Sequence, residues 1–148
     1  MSFVKKALGV AVATTFAATG LTLATAGTAN ACSTNDVCVY SDSAFGGYSM
    51  ETYYSDASWA TSRYAENQGI APYSGDGVHN NVSSADNWDF SHDVVFYYNS
   101  DYKGPCAGVV VGGAIKHFEN ISLSNGKSMN DDMNSDHFNS TCAYMYNN

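Results

Sequence analysis

The sequence predicts an all-β fold, and three observations carry that prediction. One spacing of aromatic residues and glycine occurs twice, a β-branched run precedes each copy, and the composition suits strands and tight turns. Tyr40-Ser-Asp-Ser-Ala-Phe45-Gly-Gly47 and Tyr97-Tyr-Asn-Ser-Asp-Tyr102-Lys-Gly104 both read aromatic, four intervening residues, aromatic, one residue, glycine. Beside 13 Gly and only 2 Pro stand 11 Tyr, 7 Phe and 2 Trp, residue types that favour strands and turns over helices or proline-rich linkers.

Taken in order, residues 1–31 read as a signal peptide. Lys5 and Lys6 are followed by a chargeless Ala/Val/Leu/Thr run over 7–26, and Ala29-Asn30-Ala31 places small residues at both recognition positions of a signal peptidase. About 20 apolar residues could also cross a bilayer, and Cys32 is where a lipoprotein would be acylated. The threonines, the glycines and the cleavage site favour export, and Ala29 stands where the lipoprotein signal wants Leu. The expected mature chain is one domain over 32–148, secreted and monomeric.

The whole chain carries 14 Asp plus Glu against 6 Lys plus Arg, a net charge of -8. Loss of Lys5 and Lys6 leaves 4 basic residues and a net charge near -10. So few scattered cations cannot neutralise a run of phosphates, which argues against nucleic acid, and an acidic membrane surface would repel the mature domain.

Each repeat is read as a hairpin. Val37-Cys38-Val39 leads into the first copy and Val94-Val95-Phe96 into the second. The returning strands are expected over 48–54, with Tyr48, Met50, Thr52 and Tyr54 alternating onto one face, and over 107–111. A hairpin that folds back over its own sheet needs backbone with φ above zero, which Gly47 and Gly104 adopt without a Cβ clash. A polar block follows each hairpin, His79-Asn80-Asn81-Val82-Ser83-Ser84 and Asn130-Asp131-Asp132-Met133-Asn134-Ser135. Between them, the longer segment 54–79 contains Trp59, Arg63, Tyr64, Pro72 and Tyr73. It is read either as a binding loop or as a plug in which Trp59 closes the open end of the sandwich. Cys32, Cys38, Cys106 and Cys142 all follow the cleavage point, and an even count in an exported chain reads as two disulfides with three possible pairings. A zinc site is disfavoured, since neither a Cys-x-x-Cys pair nor a two-His arrangement at ligand spacing occurs.

These motifs resemble the two Greek-key units of a microbial βγ-crystallin domain. The opening Cys32-x5-Cys38-Val-Tyr40 and the wording of the first hairpin are similar, more narrowly, to the peptidase inhibitor family typified by the Streptomyces metalloproteinase inhibitor. The resemblance spans about 32–139. It implies a βγ-crystallin-like Greek-key β-sandwich with motif one over about 32–90 and motif two over about 91–148, in which Tyr40, Phe45, Gly47, Tyr97, Tyr102 and Gly104 hold the hairpins. The family-like opening implies a Cys32–Cys38 bridge and, with it, a Cys106–Cys142 bridge. For calcium, which fold relatives often bind through Asn/Asp loops ending in Ser, the resemblance nominates Asn80, Asn81 and Ser83 in the first half and Asn130, Asp131 and Asp132 in the second. His79 and Asn134 depart from that loop pattern. The bland alternative for the same residues is Asx turns and capped strand ends.

No catalytic machinery is expected. Gly-x-Ser-x-Gly, His-Glu-x-x-His and phosphate-loop motifs are missing from the sequence, and His92 with Asp93 or His117 with Glu119 are read as surface groups that do not converge. The resemblance implies a secreted inhibitor of metalloproteinases with a secreted metalloproteinase as partner. A calcium-binding structural or stress protein and a killer-toxin-like antimicrobial are the alternatives.

Overall fold

Val37, Cys38, Val39 and Tyr40 are all buried, and this apolar run forms the centre of β1 (Val37–Asp42) in the computed structural model, which describes residues 32–72 and 82–147. The expected signal peptide, Tyr73, His79, Asn80 and Asn81 lie outside the described residues. The remaining strands are β2 (Gly46–Thr52), β3 (Ser84–Asn87), β4 (Val94–Asn99), β5 (Lys103–Val109), β6 (Ala114–Ile115), β7 (Ser135–Phe138) and β8 (Met145–Tyr146). They make two four-stranded sheets, ordered β2-β1-β3-β6 and β7-β4-β5-β8. All pairings are antiparallel except β5 with β8.

Both predicted hairpins are present, with shifted edges. β2 ends at Thr52, because the Thr52 hydroxyl donates to the Tyr54 carbonyl at 2.8 Å and turns the chain out of the sheet. Of the expected alternating set only Met50 is buried, while Tyr48 and Tyr54 are exposed. β5 begins at Lys103 and stops at Val109, since the Gly113 N–H closes a turn on Val110 O at 2.9 Å and Gly112 takes φ +65° inside it.

The two hairpins fold over in the same way. Each loses register at the same step, between Tyr40 and Asp42 and between Tyr97 and Asn99. At the tips Ala44 and Phe45 (φ 56° and 63°) match Asp101 and Tyr102 (both 58°), followed by Gly47 at 75° and Gly104 at 83°. Tyr40 packs on Phe45 with ring centroids 5.5 Å apart, and Tyr97 on Tyr102 at 6.1 Å. A fully buried serine from the polar block closes each fold. Ser84 Oγ accepts from the Phe45 N–H at 3.0 Å and donates to Asp42 O at 2.7 Å, while Ser135 Oγ accepts from the Tyr102 N–H at 3.4 Å and donates to Asn99 O at 2.8 Å.

The halves also exchange pieces. β6, from the second half, pairs with β3 of the first sheet, and Asp56, from the first half, bridges to Asp136 on β7 of the second. Trp59 opens a 3-10 turn (Trp59–Thr61) and donates its N–H to Asn134 O, and Phe118 opens another (Phe118–Asn120) and donates to Ser83 O, both at 3.0 Å. Trp59 and Phe118 then flank Phe96 with centroids at 6.0 and 5.9 Å, the middle of a core that also takes in Val37, Val39, Val94, Val109 and Met133.

Candidate functional site

The cysteines form the pairs Cys32–Cys38 and Cys106–Cys142. The first ties the residues ahead of β1 to its second residue. The second ties β5 to the segment that leads into β8, so each disulfide fixes a segment outside the central strands to one of them.

The polar blocks meet across the molecule. The Asp131 N–H donates to Val82 O at 3.2 Å, which sets Asn130 and Asp131 of the second block against the described end of the first. Asp131 takes φ 60°, an αL turn that Asp tolerates. Asn130 Nδ2 donates to Asp131 Oδ2 at 2.6 Å, whereas Asn130 Oδ1 is buried without a hydrogen-bond donor among the described residues. Ser83 is buried, and its backbone N–H and C=O are taken by Tyr40 O and the Phe118 N–H. Asn134, where the ligand pattern wants a hydroxyl, donates its Nδ2 to Tyr98 O at 2.5 Å and its backbone N–H to Tyr97 O at 2.8 Å. Among the described residues no group of three or more His, Cys, Asp or Glu is placed to hold a metal ion.

Trp59 is a plug. Its ring is wholly buried and its Nε1–H donates to Asp136 Oδ1 at 2.7 Å. Burial, only partly offset by that bond, pushes the Asp136 carboxyl up to about 8, and its Oδ2 has no partner among the described residues. Tyr64 is buried as well, and burial pushes its hydroxyl well above the ordinary range.

One of the two histidine pairs corrects the sequence expectation. His117 and Glu119 do converge, with Nδ1 and Oε1 2.8 Å apart, because the chain leaves β6 and turns into a 3-10 helix between them. Ser43 Oγ donates to the other oxygen of Glu119 at 2.8 Å, and the backbone, Ser43 and His117 hydrogen bonds together lower the Glu119 pKa. The hydroxyl bonds to the carboxylate and not to the imidazole, so the trio lacks the nucleophile–base contact of a hydrolase. His92 turns away from Asp93 to Asp89, Nδ1 to Oδ2 at 2.7 Å. Burial opposes ionisation of Asp89, but the hydrogen bonds from His92 and Ser91 prevail and lower its pKa.

One surface was not singled out by the sequence. Tyr53, Tyr54, Trp88, Phe90 and Val111 are five of the seven exposed large hydrophobic residues among the described residues. They gather at one end of the sandwich, because Val37 pairs with both Thr52 and Asn87, which aligns the residues that follow β2 and β3 with those that precede β1.

The two packed sheets define a Greek-key β-sandwich of the βγ-crystallin type. A solved structure described as "Evolution of the eye lens beta-gamma-crystallin domain fold" is similar to the chain at 12% identity with a TM-score of 0.56, covering 75% of this chain and 92% of that one. A βγ-crystallin from an archaeon is similar at 18% identity with a TM-score of 0.45, covering 71% of this chain and 98% of its own. Comparison with curated proteins gives no significant match. The model of peptidase inhibitor family I36 matches residues 25–109, and the chain belongs to that family.

Proposed function

We propose that this protein is a secreted, non-enzymatic inhibitor of zinc endopeptidases. The observation that carries the reading is the family match over residues 25–109. The scaffold supports it. An inhibitor must offer a segment to a protease cleft without unfolding into a substrate, and two disulfides with a Greek-key sandwich brace the chain against such unfolding. Disulfides in both available pairs also suit an oxidising compartment and export. Mature protein is expected to inhibit a thermolysin-like enzyme stoichiometrically and to leave serine proteases unaffected. Absence of inhibition at micromolar protein, or its digestion, overturns the reading.

The buried amide oxygen of Asn130 favours a second property, weak calcium binding. Asn130 and Asp131 would hold the ion, with Ser83 beside them and Asn80, Asn81 and Asp132 as the other proposed ligands, and the ion would brace the two polar blocks against each other. Affinity is expected at about 0.1–1 mM, the range of extracellular modules. Titration calorimetry without heat, and a melting temperature unchanged in millimolar calcium, would leave these loops as plain turns.

A further inference from the structure

The end of the sandwich that carries Trp88 and Phe90 is built to stay in place. The Trp88 N–H donates to Asp36 O and the Asn35 N–H to Trp88 O, both at 2.9 Å. The indole Nε1–H donates to Asp86 Oδ2 at 2.6 Å, and the Phe90 ring meets the indole edge-on with centroids 6.2 Å apart. Asn87 ties the loop at both ends, with Oδ1 accepting from the Asp89 N–H and Nδ2 donating to His92 O and Val110 O. Asp89 accepts from the backbone N–H groups of Ser91 and His92. Yet Trp88 is 43% exposed and Phe90 58%. Rings of this size held out into water on a pre-ordered loop carry the features of a binding hot spot, since little conformational freedom remains to be lost on association.

The surroundings indicate the partner. On the other side of the Cys32–Cys38 loop stand Tyr53 and Tyr54, their rings tilted against each other with centroids 3.9 Å apart and exposed at 57% and 68%. Asp36, Glu51, Asp86, Asp89 and Asp93 lie among these rings, and burial together with the nearby Glu51 raises the Asp36 pKa. The basic side chains sit elsewhere. Lys116 is beside Ala44 at the far end of β1, Lys103 and Lys127 are at the far end of β4, and Arg63 is held by Ala60 O and Ser62 O. His92 is engaged by Asp89.

We propose that this end, with Trp88 and Phe90 on one side of the Cys32–Cys38 loop and Tyr53 and Tyr54 on the other, is the surface that grips the peptidase. It fits an enzyme with an apolar pocket inside a basic rim. The proposal rests on the inhibitor reading above and adds where contact is made and what chemistry the enzyme must present.

The test uses the mature chain with both disulfides against a panel of zinc endopeptidases, reading inhibition, direct binding and melting temperature together. W88A/F90A is expected to weaken inhibition by about 30-fold or more with the melt nearly unchanged, and Y53A/Y54A by less. Tyr144→Ala, at an exposed ring outside this end, is expected to leave it unaffected. Association with the parent protein should slow with added salt and slow further for E51Q. If W88A disturbs folding, Phe90→Ala alone decides. Parent protein that inhibits while W88A/F90A and F90A inhibit equally well overturns this surface and leaves the inhibitor reading standing. Parent protein that neither binds nor inhibits any of the panel overturns both.

Discussion

The two halves solve the same folding problem with different chemistry at one position. In each, a 3-10 turn opens on a residue with a large ring whose backbone N–H donates to the other half, Trp59 to Asn134 O and Phe118 to Ser83 O. One residue beyond the closing serine, the first half has Ala85 and the second Asp136, both fully buried. The indole brings an N–H into the core and needs an acceptor, which Asp136 supplies; the phenyl ring needs none, and alanine suffices. The difference shows that the shared backbone is held by rings and serines, while the buried carboxyl answers a donor that only one half contains.

Trp59→Ala and Phe118→Ala should have the largest effects, about 3–5 kcal/mol each by chemical denaturation. Trp59→Ala should cost the more, because it also strands Asp136. Equal losses would mean that the polar pair adds nothing to what the rings contribute. Breaking the Cys106–Cys142 link, which closes 36 residues of chain, should cost about 4 kcal/mol against about 2 kcal/mol for Cys32–Cys38, which closes 6. Reversal of that order would show strain or residual structure outweighing loop length.

Substitution of the fold-over glycines should cost about 1–3 kcal/mol, with Gly47→Ala the worse. A Cβ at Gly47 would collide with Ser41 Oγ and lie 2.8 Å from Asp42 Cγ, whereas at Gly104 the closest atom is Asn99 Nδ2 at 2.7 Å, on a side chain that can move. Similar melts for the two variants would place the cost in the backbone φ alone.

The last effect is read as a slope with pH, not as a single loss. Asp136 keeps its proton in the folded protein up to about 8, whereas the unfolded carboxyl loses it near 3.8. The folded state therefore binds more protons within that interval. The contribution is fully present below the lower value and is lost as pH rises through the upper one, at no more than about 1.4 kcal/mol per pH unit. Asp136→Asn keeps an acceptor for Trp59 and should flatten the slope between pH 5 and 8. An unchanged profile would assign the slope to other groups.

The hairpins were legible because Tyr40, Phe45 and Gly47, and their counterparts Tyr97, Tyr102 and Gly104, fix a spacing that a fold-over with positive φ demands. Ser84 and Ser135 were visible as the ends of the polar blocks, but their role depended on which backbone they would meet. The exchange of pieces was hidden. Ala114 and Ile115 are too few to show a period, and the Asp56 bridge is a single residue. His117 and Glu119, read as groups that do not converge, are brought together by the 3-10 turn at Phe118–Asn120, which the sequence pattern did not reveal. Trp88 and Phe90 belong to no motif, and only the pairing of Val37 with both Thr52 and Asn87 gathers them with Tyr53 and Tyr54.

The exchange makes the two halves one unit of failure. Opening the first half withdraws Asp56 from β7 and Trp59 from Asn134, and opening the second withdraws β6 from β3 and Phe118 from Ser83. Neither can melt as an independent block, so thermal unfolding should be a single transition with no half-open species for a protease to trim. Either half made alone would lack the strand and ring that complete it, and two such fragments mixed together would each supply what the other is missing.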